Sequence, residues 1–362
     1  MRTRRRWGTI GLAGALGLTF LLLVVIGTVP PDGRSAPAEA AAPAPPPWLR
    51  PLAAGELPPQ FVLFSFDGAG SHTHWQRVLE ASRAVGAHVT GFLSGPYLLP
   101  HERRQDYTGP GHAPGDSAIG FGGSIEEVRT RIGDLNAAVE AGHEIGTHYN
   151  GHFCKGMEPS VGTWTAEQWT SELDQFFRFL HDAGGQGLRI SGTMIKGGRT
   201  PCLEGRFDEL LTVLGRRGMT YDASQISDGL AWPEQRHGVW QFWMPLVQIP
   251  ALNNRKVIMM DYNLWYAMNR AKEDPARSAE FAAITLDTYR AAYDAAFNGN
   301  RAPLVVGNHF NDWAGGAFSS AAERFMAEVC VRPQTVCATY SEVIDWLLLQ
   351  DPAVLAELSA AQ

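Results

Sequence analysis

The chain has 362 residues and a formal net charge of −7, with 45% hydrophobic and 19% charged residues. That balance excludes a disordered or fibrous chain, and four cysteines are too few to frame a small disulfide-built fold. Residues 1–34 hold five arginines and one acid, which leaves 25 basic and 36 acidic residues and a net of −11 in the body; nucleic-acid binding needs a cationic footprint and is not expected.

Arg2, Arg4, Arg5 and Arg6 precede an uncharged apolar run from Gly8 to Val29. A cationic start before an apolar stretch reads as an export signal. At 22 residues the run also reaches the length of a spanning helix, about 20 residues. Residues 1–35 are therefore a cleaved signal or a retained anchor, and Ala36, Ala38 and Ala40 offer small-residue cleavage positions. Either way the body is expected outside the cytoplasm, with membrane contact only through this segment. Residues 36–56 form a linker that begins with eleven Ala or Pro in twelve positions, a composition that stiffens an extended chain. The expected domain spans 57–350, and 351–362 is a tail. Outside the cytoplasm an even cysteine count suggests disulfides. Cys330 and Cys337 are close in sequence and pair, leaving Cys154 with Cys202; a free Cys154 nucleophile is the rival reading.

Within the body, Phe61 to Phe66 is a continuous apolar run ended by Asp67, the pattern of a strand buried on both faces. Trp75, Val78 and Leu79 follow at helical spacing, and Val89–Leu93 is a second short apolar run. Residues 95–122 are rich in Gly and Pro and read as a long loop. Ser124 and Glu127 make a capping-box pattern ahead of a stripe through Val128, Ile132, Leu135 and Val139. Thr165 and Gln168 cap the next helix, which stops near Gly184. Phe207–Leu214 is helical, Val257–Met260 and Leu304–Val306 are strands, and Pro275 suits the first turn of a helix reaching about Phe297. Thr339 and Glu342 cap a last helix. Strands alternating with helices imply a mostly parallel sheet, in which polar residues at strand C-terminal ends carry the chemistry.

Five residues occupy such positions: Asp67, His148, Arg199 and His309 after strands or turns, and His152 four residues beyond His148. A His-x-x-x-His spacing on a helical turn puts two imidazoles within reach of one cation. Two histidines four apart also arise by chance, and each of these residues alone has a structural reading: Asp67 as a cap, His309 as a bonded core histidine, Arg199 as a surface charge. Together they suit metal-assisted hydrolysis. A cation lowers the pKa of bound water and polarises a carbonyl, a carboxylate takes the water proton, an imidazolium protonates the leaving group, and Arg199 holds the base by a bidentate contact.

The segments FVLFSFDGAG, GAHVTGFLSG, GHEIGTHYNGH, GGRTPC and VVGNHF occur in that order and resemble the NodB-homology polysaccharide deacetylases, carbohydrate esterase family 4, over residues 60–350. The resemblance implies an α/β fold, a distorted (β/α) barrel of fewer than eight strands, and removal of acetyl groups from an acetylated polysaccharide such as peptidoglycan or a chitin-like glycan, N-acetyl rather than O-acetyl. It implies Asp67 as the base, His309 as the acid, Arg199 as the residue orienting the base, and His148 and His152 as ligands to a divalent metal, zinc by preference. Two positions depart from the family. Its third ligand, a second aspartate after the base, is Gly68 here, so Asp67, His72, His74 or water would have to complete the site, or no metal binds. Asn308 replaces a leucine before the last histidine. Gly68 motivates a rival function, a glycan-binding barrel without turnover. Among the eleven tryptophans, Trp232, Trp240, Trp243, Trp265 and Trp313 are candidates to stack on sugar rings, Trp313 first. Loops 95–122 and 228–256 are where substrate choice is expected.

Overall fold

The computed structural model describes residues 45–360. The apolar run 8–29 and most of the Ala/Pro stretch lie outside the described residues, and among those described no helix is long and apolar enough to cross a membrane.

Among the described residues the strands are β1 (Gln60–Gly68), β2 (Thr90–Leu93), β3 (Glu144–Thr147), β4 (Gly197–Gly198), β5 (Tyr221–Asp222), β6 (Ile226–Ser227), β7 (Glu234–Arg236), β8 (Val239–Gln241), β9 (Met244–Ile249), β10 (Arg255–Ile258), β11 (Leu304–His309) and β12 (Thr335–Cys337). The main sheet runs β11-β1-β2-β3-β4-β5-β8-β7, with β12 beside the start of β1. Its pairings are parallel except for the β7–β8 hairpin. β1 is central, and Phe61 to Phe64 are wholly buried, as its unbroken apolar run predicts. Among the described residues the sheet's two ends do not pair with each other. A small sheet β10-β9-β6 lies beside β11, linked to it by a Met260–Gly307 bridge. The distorted barrel expected from the sequence is therefore a curled half-barrel.

The helices are α1 (His72–Val85), α2 (Ile125–Glu140), α3 (Ala166–Gly184), α4 (Phe207–Arg216), α5 (Asp261–Asn269), α6 (Ser278–Asn298), α7 (Trp313–Val329), α8 (Tyr340–Leu348) and α9 (Pro352–Ala360). Capping boxes form at Ser124/Glu127, Thr165/Gln168 and Thr339/Glu342, each satisfying backbone donors that a helix start leaves unpaired. The disulfides are Cys154–Cys202 and Cys330–Cys337, the pairing expected from sequence, and no free cysteine is present among the described residues.

The folded body extends beyond 57–350 on both sides. Trp48 packs edge-on against Phe61, and the Leu52 amide donates to Gln350, whose side chain donates to the Arg50 carbonyl. Leu355 and Leu358 of α9 lie on the same apolar cluster. The Ala/Pro composition masks this switch, because the packing residues begin only at Trp48.

Candidate active site

The parallel register sets Asp67 level with His309 on one side and Phe92 on the other. Chain direction then puts the C-terminal ends of β1, β3, β4 and β11 along one rim. There a cleft of about 690 Å³ is lined by Asp67, Gly68, His148, His152 and His309 among others.

Asp67 is buried and its Oδ1 accepts from Arg199 Nη1 at 2.9 Å. Burial alone would raise its pKa, but the Arg199 guanidinium, with charged neighbours in the cleft, holds the carboxyl below the usual range. The contact with Arg199 is single, not bidentate as expected. The other arm, Nη2, donates to the Tyr340 hydroxyl at 2.9 Å, while Nε donates to the Ala223 carbonyl at 2.9 Å. The guanidinium is wholly buried and lies 4.7 Å from the Phe92 ring centre.

His148 follows β3. Its Nδ1 lies 2.8 Å from the Arg199 carbonyl, so Nδ1–H donates and Nε2 keeps its lone pair. The segment 148–152 is a loop, not the helical turn that the His-x-x-x-His spacing predicts. Positive φ at Tyr149 (+57°) and His152 (+58°) curls it, and the two imidazole centres come within 5.2 Å. Burial pushes the His148 pKa down, and burial with the nearby imidazoles pushes His152 down to about 3. Both rings are therefore neutral at pH 7 and able to ligate.

His309 ends β11. Its Nδ1 is 2.7 Å from Asp261 Oδ1, and its amide donates to Asp261 Oδ2 at 2.7 Å. Burial opposes the charged ring, yet Asp261 outweighs it and raises the His309 pKa. Sequence reasoning missed Asp261. The signal was present, since it directly follows an apolar run at a predicted strand end, as Asp67 does.

Gly68 lines the cleft at φ +88° and offers no ligand. Neither His72 nor His74 replaces it: His72 bonds to Asp134 at 2.8 Å, and His74 Nδ1 sits 2.8 Å from Ser71 Oγ. Two buried hydroxyls in the cleft lining, Ser94 Oγ and Thr200 Oγ1, have no hydrogen-bond partner. By donor chemistry two neutral imidazoles, the Asp67 carboxylate and these orphaned oxygens suit a divalent cation, but Asp67, His148 and His152 do not bring their donor atoms within 4.8 Å of one another as His152, Cys154 and Cys202 do. Asn308 points away from the cleft, with Oδ1 3.4 Å from the Tyr289 hydroxyl, and Ile258 and Met260 supply apolar lining instead. Of the five tryptophans, Trp313 lines the cleft, 5.0 Å from the His309 ring. Trp232 and Trp265 are buried and donate to backbone carbonyls.

No protein-family model and no curated protein matches the sequence. Among solved structures, a Mycobacterium smegmatis protein assigned as a polysaccharide deacetylase superposes with a TM-score of 0.51 at 14% identity, covering 81% of this chain and 92% of its own. The chain has the polysaccharide-deacetylase fold. A Pseudomonas aeruginosa PAO1 protein assigned to the same group gives 0.48 at 14% identity, covering 80% of this chain and 91% of its own. A family 4 carbohydrate esterase from Streptomyces lividans, in complex with acetate, gives 0.41 at 14% identity, covering 78% and 94%. At such identities the likeness speaks to fold and not to reaction. Within this deacetylase fold, the five residues singled out from sequence share one cleft or, for Arg199, lie directly behind it.

Proposed function

We propose that the protein is a hydrolase that removes acetyl groups, N-acetyl rather than O-acetyl, from a polysaccharide such as peptidoglycan or a chitin-like glycan, outside the cytoplasm. One observation carries this reading: an ionised carboxylate, Asp67, and a histidine with a raised pKa, His309, occupy level positions on adjacent strands of one cleft. Environments that push acid and base apart are the mark of acid–base work.

Asp67 accepts the proton of the attacking water, and Arg199 keeps its carboxyl ionised and aimed. His309 gives a proton from Nε2 to the departing amine or alkoxide, while Asp261 holds Nδ1–H and supports the cationic ring. His148 and His152 would hold a divalent cation, zinc by preference, which supplies Lewis-acid polarisation of the acetyl carbonyl. Trp313 beside His309 gives a sugar ring an apolar face.

The test is acetate release from N-acetylated and O-acetylated glycan oligomers, with and without a chelator. Asp67→Ala and His309→Ala should each lower the rate by about 100-fold or more. No acetate from any acetylated glycan would overturn the assignment.

Gly68 favours a second reading, a glycan-binding barrel without turnover, because catalytic zinc usually has three protein ligands. Sugar affinity with neither bound metal nor acetate release would select it.

A further inference from the structure

The Cys154–Cys202 disulfide joins the loop after β3 to the loop after β4 and lies against His152, whose Nδ1 is 3.5 Å from Cys154 Sγ. One donor atom each from His152, Cys154 and Cys202 lies within 4.8 Å of the other two. Cys202 is exposed and lines the cleft, so a small thiol reaches its sulfur. His152, Cys202 and Leu203 all hold positive φ, +58°, +57° and +58°, a region that costs a non-glycine residue about 1 kcal/mol or more. Strained residues from two loops thus meet at one point, a pattern that clusters at functional sites. An imidazole with two thiolates is a zinc donor set, and soft sulfur favours such an ion over the hard divalent cations. The nitrogen and oxygen set deeper in the cleft is meanwhile short by the ligand that Gly68 lacks.

We propose that the disulfide masks a second metal site: once reduced, Cys154 and Cys202 bind zinc as thiolates together with His152, drawing that imidazole from its pairing with His148. The reduction is a two-electron exchange with a dithiol. A reductant thiolate attacks Cys202 Sγ, the S–S bond breaks, and Cys154 leaves as a thiolate. The reductant's second thiol then displaces Cys202 and departs as its own disulfide, having supplied two electrons and two protons. Zinc binding releases both thiol protons to water and forms two Zn–S bonds and one Zn–N bond. The thiolate site stands independently of the hydrolytic reading; the competition for His152 rests on it.

Cobalt(II) tests this by its thiolate charge-transfer absorption. The full chain is titrated with cobalt as purified, and again after reduction with dithiothreitol and anaerobic desalting. The expected result is a near-ultraviolet band at one cobalt per chain in the reduced form alone, displaced by zinc. Cys154→Ser and His152→Ala should each weaken cobalt binding by about 100-fold or more, and Cys330→Ser with Cys337→Ser should leave the band intact. Absence of the band after reduction would overturn the proposal. So would a band that persists in Cys154→Ser with Cys202→Ser, or unfolding on reduction, followed by circular dichroism, that cobalt does not reverse. A band in the reduced chain without acetate release by the oxidised one would keep the thiolate site and remove the deacetylase reading.

Discussion

His309 must be protonated, and Asp67 ionised, for the proposed hydrolysis to turn over. Asp67 is held below the usual carboxylate range, so it is ionised at neutral pH. His309 is raised above its ordinary 6.5, so activity persists past that value and is lost as pH climbs through the raised pKa. Asp261→Asn removes the charge that does the raising. The basic limb of the kcat/KM profile should then move to lower pH; an unmoved limb would release His309 from the acid role. Gly68 allows a second residue test. A side chain at this position meets Tyr97 Cε2 at an ordinary 3.7 Å, but the φ of +88° is strained for any L-residue. Gly68→Asp should cost about 1 kcal/mol of stability and tighten zinc binding by about tenfold or more, read by melting and by metal titration. Stability loss without any gain in affinity would place residue 68 outside the coordination shell.

At the scale of elements, α3 braces the histidine loop from behind. Glu172 is wholly buried; its Oε1 accepts from the Asn150 and Gly151 amides at 3.0 and 3.2 Å, and the Tyr107 hydroxyl donates to Oε2 at 3.0 Å. Burial pushes its pKa from 4.5 up to about 7. The folded chain therefore binds this proton more tightly than the unfolded chain does. The resulting stability is greatest below pH 4.5 and is lost as pH rises to about 7, on the order of 3 kcal/mol. Glu172→Gln keeps an acceptor for both amides and lacks that loss, so the variant should gain on the parent between pH 5 and pH 8 in thermal melting. A constant gap would mean the carboxyl titrates normally. Elements with long patterns were legible before the structure: β1 and β11 as apolar runs, α2, α3 and α8 from their capping boxes. β4 and β5 have two residues each, too few to show any period, and 228–256, read as a loop, folds into β7, β8 and β9. The histidine loop misled in another way. Its spacing fits a helical turn equally well, and only the positive φ values at Tyr149 and His152 separate the two geometries. Asp261 stands at a legible strand end, but its pairing with His309, 48 residues away in sequence, shows only in the fold.

Across the whole molecule, the two ends of the described chain close over the start of β1. Trp48 stands edge-on to Phe61, and Phe61 edge-on to Trp346 of α8. This makes residues 46–56 part of the folding unit. Trp48→Ala should lower the stability to denaturant by about 2 kcal/mol with an unchanged slope, whereas a mere tether would leave the midpoint where it was. On the opposite rim, one residue serves two neighbours at once. The Arg199 guanidinium carries Asp67 while its carbonyl carries His148. Base and metal-site histidine thus share one fastening, so a shift of Arg199 disturbs both contacts in a single event.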